Sequence, residues 1–397
     1  MPWKVREAME LRASFVDEWQ SEDWTLAELC RFYEVTRKTG YKWLERYEEE
    51  GLVGLADRSR APRHHPNAIS AELEDRIIGL RGQHPRWGAR KLRAVLEEKG
   101  EEELAAVSTI GAVLKRNGLT VPRRPRRRAR PNAVPVATVS GANETWSADF
   151  KGWFRTLDGV RCDPLTISDV HSRYLLRCQA VGAADTFHSQ PVFEAAFREY
   201  GLPRRMRTDN GAPFGSNGDS GLTTLSVWWI RLGIQPERIE PGHPEQNGRH
   251  ERMHRTLKEA TACPPGQNRR RQQERFDAFR QEYNQERPHE ALGQTPPAQH
   301  YQPSPRVYPE RLAEWEYPSE WQVRRVGRSG QMRWMGHYVF VAHALDGQAV
   351  GLQPIDDSHW KVYFHFYEIG VLDGRGLKIG SPERWKKRCQ RGTGEQK

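Results

Sequence analysis

The chain is short of cysteine. Its five (Cys30, Cys162, Cys178, Cys263, Cys389) are odd in number, scattered, and never form a CxxC pair. That argues against a disulfide framework and a zinc module, and for a reducing compartment. No apolar run is long enough to span a bilayer, and the N-terminus has no signal-peptide core. A soluble cytoplasmic protein with no membrane partner is therefore expected. Acid is short relative to base: 52 Asp and Glu stand against 62 Lys and Arg, a net charge of +10. That excess fits a polyanionic partner such as nucleic acid, a soluble protein with a basic tail being the plain alternative. The 397 residues are too many for one small core and predict several domains.

What is present begins with helices. Residues 1–60 read as three, the first carrying Val5, Met9, Phe15, Val16 and Trp19. The second opens on Thr25-Leu-Ala-Glu28, a capping box in which hydroxyl and carboxylate satisfy each other's free backbone N–H groups. The third, from Arg37, turns Trp43, Leu44 and Tyr47 to a core and leaves Arg37, Lys38, Thr39 and Lys42 outward on its first turns. This is the layout of a helix-turn-helix, whose second helix reads the major groove; a three-helix bundle with a basic surface is the alternative. A Pro/His/Arg linker leads to a second helix-turn-helix-like set over 67–122. There Ser70 and Ser108 are expected to cap helices, and Thr109, Lys115 and Arg116 are exposed candidates for DNA contact. A basic linker, 123–142, follows. Its Arg123, Arg124, Arg126, Arg127 and Arg128 bury nothing and are expected to track phosphates or enter a minor groove; a solvated linker is compatible with that.

From about Thr145 the pattern changes to strands. Trp146 to Phe154 alternates, so Asp149 points opposite to Trp146, Ala148 and Phe150. Leu165–Asp169 and Tyr174–Val181 read as further strands. A helix with Phe187, Val192, Phe193, Ala196, Phe197 and Tyr200 on its apolar side stops at Gly201. A short strand ends at Asp209 before an Asn210-Gly211 turn, a helix covers Leu222–Leu232, and a strand near Gln235–Glu240 leads to a helix carrying Glu251. The order βββαβαβα implies a mixed sheet with helices on its faces, over residues 143–303. A further helix is expected over Arg275–Arg287. Residues 304–380 are strand-rich, with turns at Gly336, Asp346-Gly347 and Asp373-Gly374, and suggest a small β-barrel. Residues 381–397 read as a mobile tail.

The chemistry is expected on three carboxylates. Asp149 lies mid-strand on a polar face, Asp209 ends a strand, and Glu251 sits near a helix start. At 3.6 residues per turn, Asn247, Glu251, Arg255 and Lys258 share one helix face: an acid to hold metal beside cations to hold phosphate. Such acids can bind two divalent ions about 4 Å apart, one activating the attacking oxygen and the other stabilising the leaving one. Oxygen ligands favour Mg²⁺, with Mn²⁺ as substitute. Asp163, Asp169 and Glu245 are rivals for these positions. His243, His250 and His254 could suggest zinc, but no HExxH is present.

Trp146-Ser-Ala-Asp-Phe-Lys-Gly, Arg207-Thr-Asp-Asn-Gly-Ala-Pro-Phe, His243-Pro-Glu-Gln-Asn-Gly-Arg-His-Glu-Arg-Met-His-Arg-Thr-Leu-Lys and Tyr283-Asn-Gln-Glu-Arg-Pro-His-Glu-Ala-Leu-Gly resemble the integrase core of bacterial insertion-sequence transposases. These are DDE recombinases related to retroviral integrases. The likeness covers nearly the whole chain. It implies an RNase H-like core, with metal on Asp149, Asp209 and Glu251 and DNA approached by Asn247, Arg255 and Lys258. The stretch between Asp209 and Glu251 is longer than is usual in the family, and the polar loop 215–221 takes up the surplus. The implied function is that of a DNA transposase on double-stranded DNA. It would bind the terminal inverted repeats of its own element, hydrolyse a phosphodiester at each end and join the 3′-OH to target DNA. A homo-oligomer, dimer or higher, is expected to handle two ends on the bacterial nucleoid. An RNase H-type nuclease and a DNA-binding regulator without chemistry are the rivals.

Overall fold

The computed structural model describes residues 8–59, 68–101, 104–120, 139–216, 220–239, 248–382 and 385. The chain divides into two compact units, Met1–Ser70 and Ala71–Lys397.

In the first unit, α1 (Ala8–Gln20), α2 (Leu26–Phe32) and α3 (Arg37–Glu50) gather Phe15, Leu29, Cys30, Trp43, Leu44 and Leu55 into one core. Thr25 and Glu28 form the reciprocal cap on α2, and Thr36 caps α3. α3 passes α2 so closely that a Cβ on Gly40 would lie 2.6 Å from Cys30 Sγ. Glycine is what allows that approach.

The second unit opens with α4 (Ala71–Gln83), α5 (Ala89–Glu98) and α6 (Val107–Arg116), packed through Leu73, Ile77, Leu92, Leu96, Ile110 and Val113. Ser108 does not cap α6: the helix starts one residue earlier, at an Ala106 N-cap with no side-chain hydrogen bond. This helical set is tied to the later chain by Lys91 on the Pro288 carbonyl, Arg90 on Glu290 (2.7 Å) and His84 beside Glu282 (3.2 Å).

The central sheet runs β4 (Leu175–Val181), β3 (Arg161–Asp169), β1 (Thr145–Phe150), β5 (Arg205–Thr208), β6 (Gln235–Arg238). β3 is antiparallel to both neighbours, whereas β1, β5 and β6 are parallel. One face is covered by α7 (Thr186–Tyr200) and α8 (Thr224–Arg231), in a core holding Trp146, Ala148, Ile167, Phe193, Phe197 and Trp229. The other is covered by α9 (Gly248–Thr261) and α10 (Arg269–Gln285), through Met253, Leu257, Phe276, Phe279 and Tyr283 against Cys178 and Ala180. Both faces being covered explains why Thr145 to Ala148 are buried without a break.

Several expected limits shift. The strand read over 146–154 stops at Phe150, and Phe154–Arg155 forms a separate β2 on the start of β3. Phe187 is not on the apolar stripe of α7; it sits in the first turn, 82% exposed. Leu222 precedes α8, which Thr223 caps, and Asn268 starts α10 ahead of Arg275.

The C-terminal strands are β7 (Gln322–Arg325), β8 (Gln331–Trp334), β9 (His337–Phe340), β10 (Ala349–Pro354), β11 (His359–Phe364), β12 (Tyr367–Asp373) and β13 (Lys378–Gly380). Five form an antiparallel sheet, β13-β12-β11-β10-β7, and β8-β9 form a hairpin. Met335 and Gly336 both take positive φ at its tip, the two-residue turn that matches strand twist. The expected barrel is not closed: no ladder joins β7 to β13 among the described residues. The sheet instead buries its apolar face against Leu222, Val227 and Ile230 at α8 as well as against its own hairpin. No described helix is long and apolar enough to cross a membrane.

Candidate active site

Strand alternation puts Trp146 and Ala148 into the α7/α8 core and turns Ser147 and Asp149 toward α9. Asp149 is half-buried near the exit of β1, opposite Thr166 of β3. β5 runs parallel beside β1 with Ser147 paired to Arg207, and the same register carries Asp149 level with Asp209, just past the end of β5. Two carboxylates therefore stand at the same end of adjacent parallel strands.

Asp209 is half-buried, and its Oδ1 is buried without a hydrogen-bond partner among the described residues. Burial raises its pKa above the ordinary carboxylate range, against a smaller opposing effect of the Gly211 N–H. A buried carboxylate oxygen with nothing to satisfy it is a poor structural element and a good ligand for a hard cation. Gly211 keeps the space beside it open, since a Cβ there would meet Asp209 Oδ2 at 3.2 Å.

α9 is held on the sheet by a polar chain. His250 Nε2 and His254 Nε2 lie 2.6 and 2.7 Å from Thr166 Oγ1. His250 Nδ1 is 3.2 Å from Ser147 Oγ, and His254 Nδ1 is 3.7 Å from Asp149 Oδ2. Burial drives the pKa of His250 down to about 4, and burial, His250 and Lys151 drive that of His254 down to about 2. Both imidazoles are therefore neutral, with one proton each. One arrangement keeps a proton facing the carboxylate: Ser147 donates to His250, His250 Nε2–H to Thr166, Thr166 O–H to His254 Nε2, and His254 Nδ1–H points at Asp149. Asp149, His250 and His254 are also the one group of three metal-ligating side chains gathered within 4.8 Å among the described residues. With both Nε2 atoms engaged by one hydroxyl, the histidines serve better as supports for Asp149 than as ligands. The i,i+4 pairing of His250 and His254 was the sequence signal for this; its partner Thr166, on a distant strand, left none.

Glu251 does not join the two aspartates. It is exposed in the first turn of α9, and among the described residues no hydrogen bond or ion pair ties it to Asp149 or Asp209. Mutual repulsion of three close carboxylates favours that separation. Arg255 and Lys258 are exposed along α9 as well. The rivals are otherwise employed. Asp163 is buried against Arg161 at 2.6 Å. Asp169 is buried and accepts from the N–H groups of Asn143 and Ser172, fixing the β3–β4 turn. Glu245 and His243 lie outside the described residues, as does Asn247.

Among the expected DNA contacts, Arg37, Lys38 and Lys42 are exposed on α3, with Lys42 over the Trp43 ring. The Thr39 hydroxyl bonds Thr36 at 2.9 Å within the cap of α3. In the second helical set Lys115 is exposed and Thr109 half-buried. Arg116 is not a free cation: it pairs with Glu74, linking α6 to α4. Arg123, Arg124, Arg126, Arg127 and Arg128 lie outside the described residues.

Comparison with known proteins gives matches along most of the chain. A helix-turn-helix domain profile matches residues 11–63 and a homeodomain-like domain profile residues 39–114. Two integrase core domain profiles match 139–244 and 232–297, and the C-terminal domain of IS481 family transposases matches 321–379. An uncharacterized 31.7 kDa protein of insertion element IS407 from Burkholderia multivorans is 28% identical over 265 residues, covering 62% of this chain and 87% of that protein. An uncharacterized 39.2 kDa protein of insertion element IS476 from Xanthomonas euvesicatoria is 29% identical over 260 residues, 63% of this chain and 71% of that one. Among solved structures, the HTLV-2 integrase catalytic core domain in complex with magnesium aligns over 41% of this chain and 98% of its own, at 16% identity and a TM-score of 0.32. Helix-turn-helix profiles, an integrase core and a transposase C-terminal domain, in that order along one chain with insertion-element relatives, make the chain similar in domain make-up to insertion-sequence transposases with an integrase core.

Proposed function

We propose that the protein is a DDE transposase acting on double-stranded DNA, and that it recognises the terminal inverted repeats of its own element. The helical sets over 1–60 and 67–122 and the arginine run over 123–142 would bind those ends. The core, 143–303, would hydrolyse the phosphodiester at each end to leave a 3′-OH and then join that hydroxyl to target DNA. The observation that carries this reading is the pair Asp149 and Asp209 at the same end of adjacent parallel strands, with Asp209 Oδ1 buried and unsatisfied. Asp149, Asp209 and Glu251 would hold two Mg²⁺ ions, or Mn²⁺ in their place, Glu251 being brought in by movement of α9 or of its own side chain. The chemistry supplied by divalent cations there is activation of the attacking oxygen and neutralisation of charge on the leaving one.

The chain's own residues do the rest. The His250–Thr166–His254 chain orients Asp149, and Arg255, Lys258 and Asn247 would approach the DNA backbone beside Glu251. No Ser or Tyr nucleophile is needed, because water and then the DNA hydroxyl attack directly. Work on two ends at once calls for a homo-oligomer, on nucleoid DNA in the cytoplasm. The C-terminal strands, 304–380, offer one assembly surface, and 381–397 would be a tail.

A strand-transfer assay with Mg²⁺ and end-bearing duplexes tests this. Asp149→Ala, Asp209→Ala and Glu251→Ala should each abolish joining and leave end binding nearly intact. Cleavage without joining in the wild type would make the protein a nuclease, and binding alone would make it a regulator. Retained joining in any variant removes that residue from the site.

A further inference from the structure

The motif Tyr283-Asn-Gln-Glu-Arg-Pro-His289 is not used by the three carboxylates, and it lines a cavity of its own. The cavity, of about 390 Å³, lies between α5, the β3–β4 turn, α9 and the end of α10. Lys91, Arg173, Arg252 and Arg287 line it together with Tyr283 and His289. Its one acid, Glu290, is already paired with Arg90 at 2.7 Å. Arg252 and Arg287 form no ion pair among the described residues. His289 Nε2 is buried there without a hydrogen-bond partner.

Lys91 and Arg287, half-buried together in one cavity, are costly as charges unless an anion joins them, and the nearby Glu282 and Glu259 ease that only for Arg287. The protein registers that cost. Burial, then the nearby Arg287, brings the pKa of Lys91 down to about 7. Burial, then Lys91, Arg287 and Arg173, brings that of His289 down to about 3. Burial likewise lowers that of Arg287. Planar guanidinium forks and an ammonium around a concave site match phosphate oxygens.

We infer that this cavity is a binding site for a phosphodiester of the DNA backbone, on the side of α9 away from the carboxylates. The inference rests on the reading of the core as a DNA-joining enzyme. Helical spacing puts Glu251, Arg255 and Lys258 on one flank of α9 and Arg252 and Thr256 on the other. A strand crossing α9, a helix ~10 Å wide, would place a phosphate here a few nucleotides from the reacting one. Because Lys91 comes from α5, the site forms only while the second helical set is docked on the core.

The test is a fluorescence-anisotropy titration of the full chain with a duplex of arbitrary sequence, a few helical turns long, over a potassium chloride series. Arg252→Gln and Arg287→Gln should each weaken binding several-fold, and each should flatten the slope of log affinity against log salt by about 0.9, the loss of one phosphate contact. Arg270→Gln, at the exposed far end of α10, should change neither. Unchanged slopes in both cavity variants would overturn the site. Arg252 is exposed, so its variant reports even if Arg287→Gln folds poorly. Calorimetry with inorganic phosphate alone separates the two sources of phosphate. Micromolar, Arg287-dependent binding with unchanged duplex slopes would assign the cavity to a small anion and overturn the proposal. The titration needs neither metal nor joining. A flattened slope in a chain that never joins DNA would keep the cavity and sink the enzyme reading; normal joining with unchanged slopes would sink the cavity alone.

Discussion

Among the described residues, Asp209 carries a cost that a bound cation would relieve. A buried carboxylate oxygen with no partner destabilises the fold, and its raised pKa expresses the same penalty. Asp209→Asn removes the charge at nearly constant shape. It should therefore stabilise the protein without added metal by about 1 kcal/mol while abolishing joining. The matching observation is calorimetric: Mg²⁺ should raise the melting temperature of the wild type and leave that of Asp209→Asn unmoved. A variant no more stable than wild type, and equally responsive to Mg²⁺, would take Asp209 out of the site. Thr166 is the opposite kind of residue, fully used. Its oxygen accepts from His250, and its one proton is shared between His254 Nε2 and the Asp149 carbonyl. Thr166→Val leaves those groups facing a methyl and should cost about 2–3 kcal/mol, with slower joining because Asp149 loses its support. Thr166→Ser keeps the hydroxyl and should restore both. Equal stability of the Val and Ser variants would mean that the chain of hydrogen bonds is not formed.

At the level of elements, the helix-turn-helix depends on one close crossing. Gly40→Ala would set a methyl 2.6 Å from Cys30 Sγ and 3.1 Å from the Phe15 ring. Overpacking of that size costs about 1–3 kcal/mol, and it should lower the first thermal transition and weaken DNA binding together. Cys30→Ala in the same chain removes the clashing sulfur and should recover most of the loss; no recovery would mean that the crossing is not the limiting contact. This crossing was not readable from the chain, because Gly40 reads as a weak spot in a helix and Cys30 as one more scattered thiol. What could be read were features set by neighbours along the chain. The period of two in β1 turned Asp149 away from Trp146, the Asn210-Gly211 turn stopped β5 just before Asp209, and Thr25 with Glu28 announced α2. What could not be read were pairings across long separations. The inward face of α9 carries His250 and His254, which along the chain are only an i,i+4 pair without an HExxH until Thr166 is placed opposite them. The C-terminal strands alternate as a barrel would, yet closure depends on edges. There the sheet found α8 to cover it, and the barrel stayed open.

The whole molecule should lose its second unit before its first as acid is added. His250, His254 and His289 are held neutral in the fold, with pKa values near 4, 2 and 3. In the unfolded chain each takes up a proton near pH 6.5. Between those limits the unfolded state binds more protons, so stability falls as pH falls from about 6.5 toward 4. For His250 alone the drop from 6.5 to about 4 is worth ~3 kcal/mol, at about 1.4 kcal/mol per pH unit. Asp209 and the buried Asp169 work against this, since a raised pKa returns stability as the carboxylate protonates, while His365, also brought down to about 4 by burial, adds to the three imidazoles. Residues 8–59 hold no histidine, and His64 and His65 of the first unit lie outside the described residues, so among the described residues of that unit no imidazole titrates in that window. Thermal unfolding followed by tryptophan fluorescence should thus show the transition of residues 71–397 moving down between pH 7 and pH 4.5, while that of the first unit stays nearly fixed. His250→Asn should flatten the pH dependence of the moving transition, because one of the proton uptakes on unfolding is then gone. Two transitions that shift in parallel, or a second unit indifferent to pH over that range, would show that these imidazoles are not held neutral beneath α9.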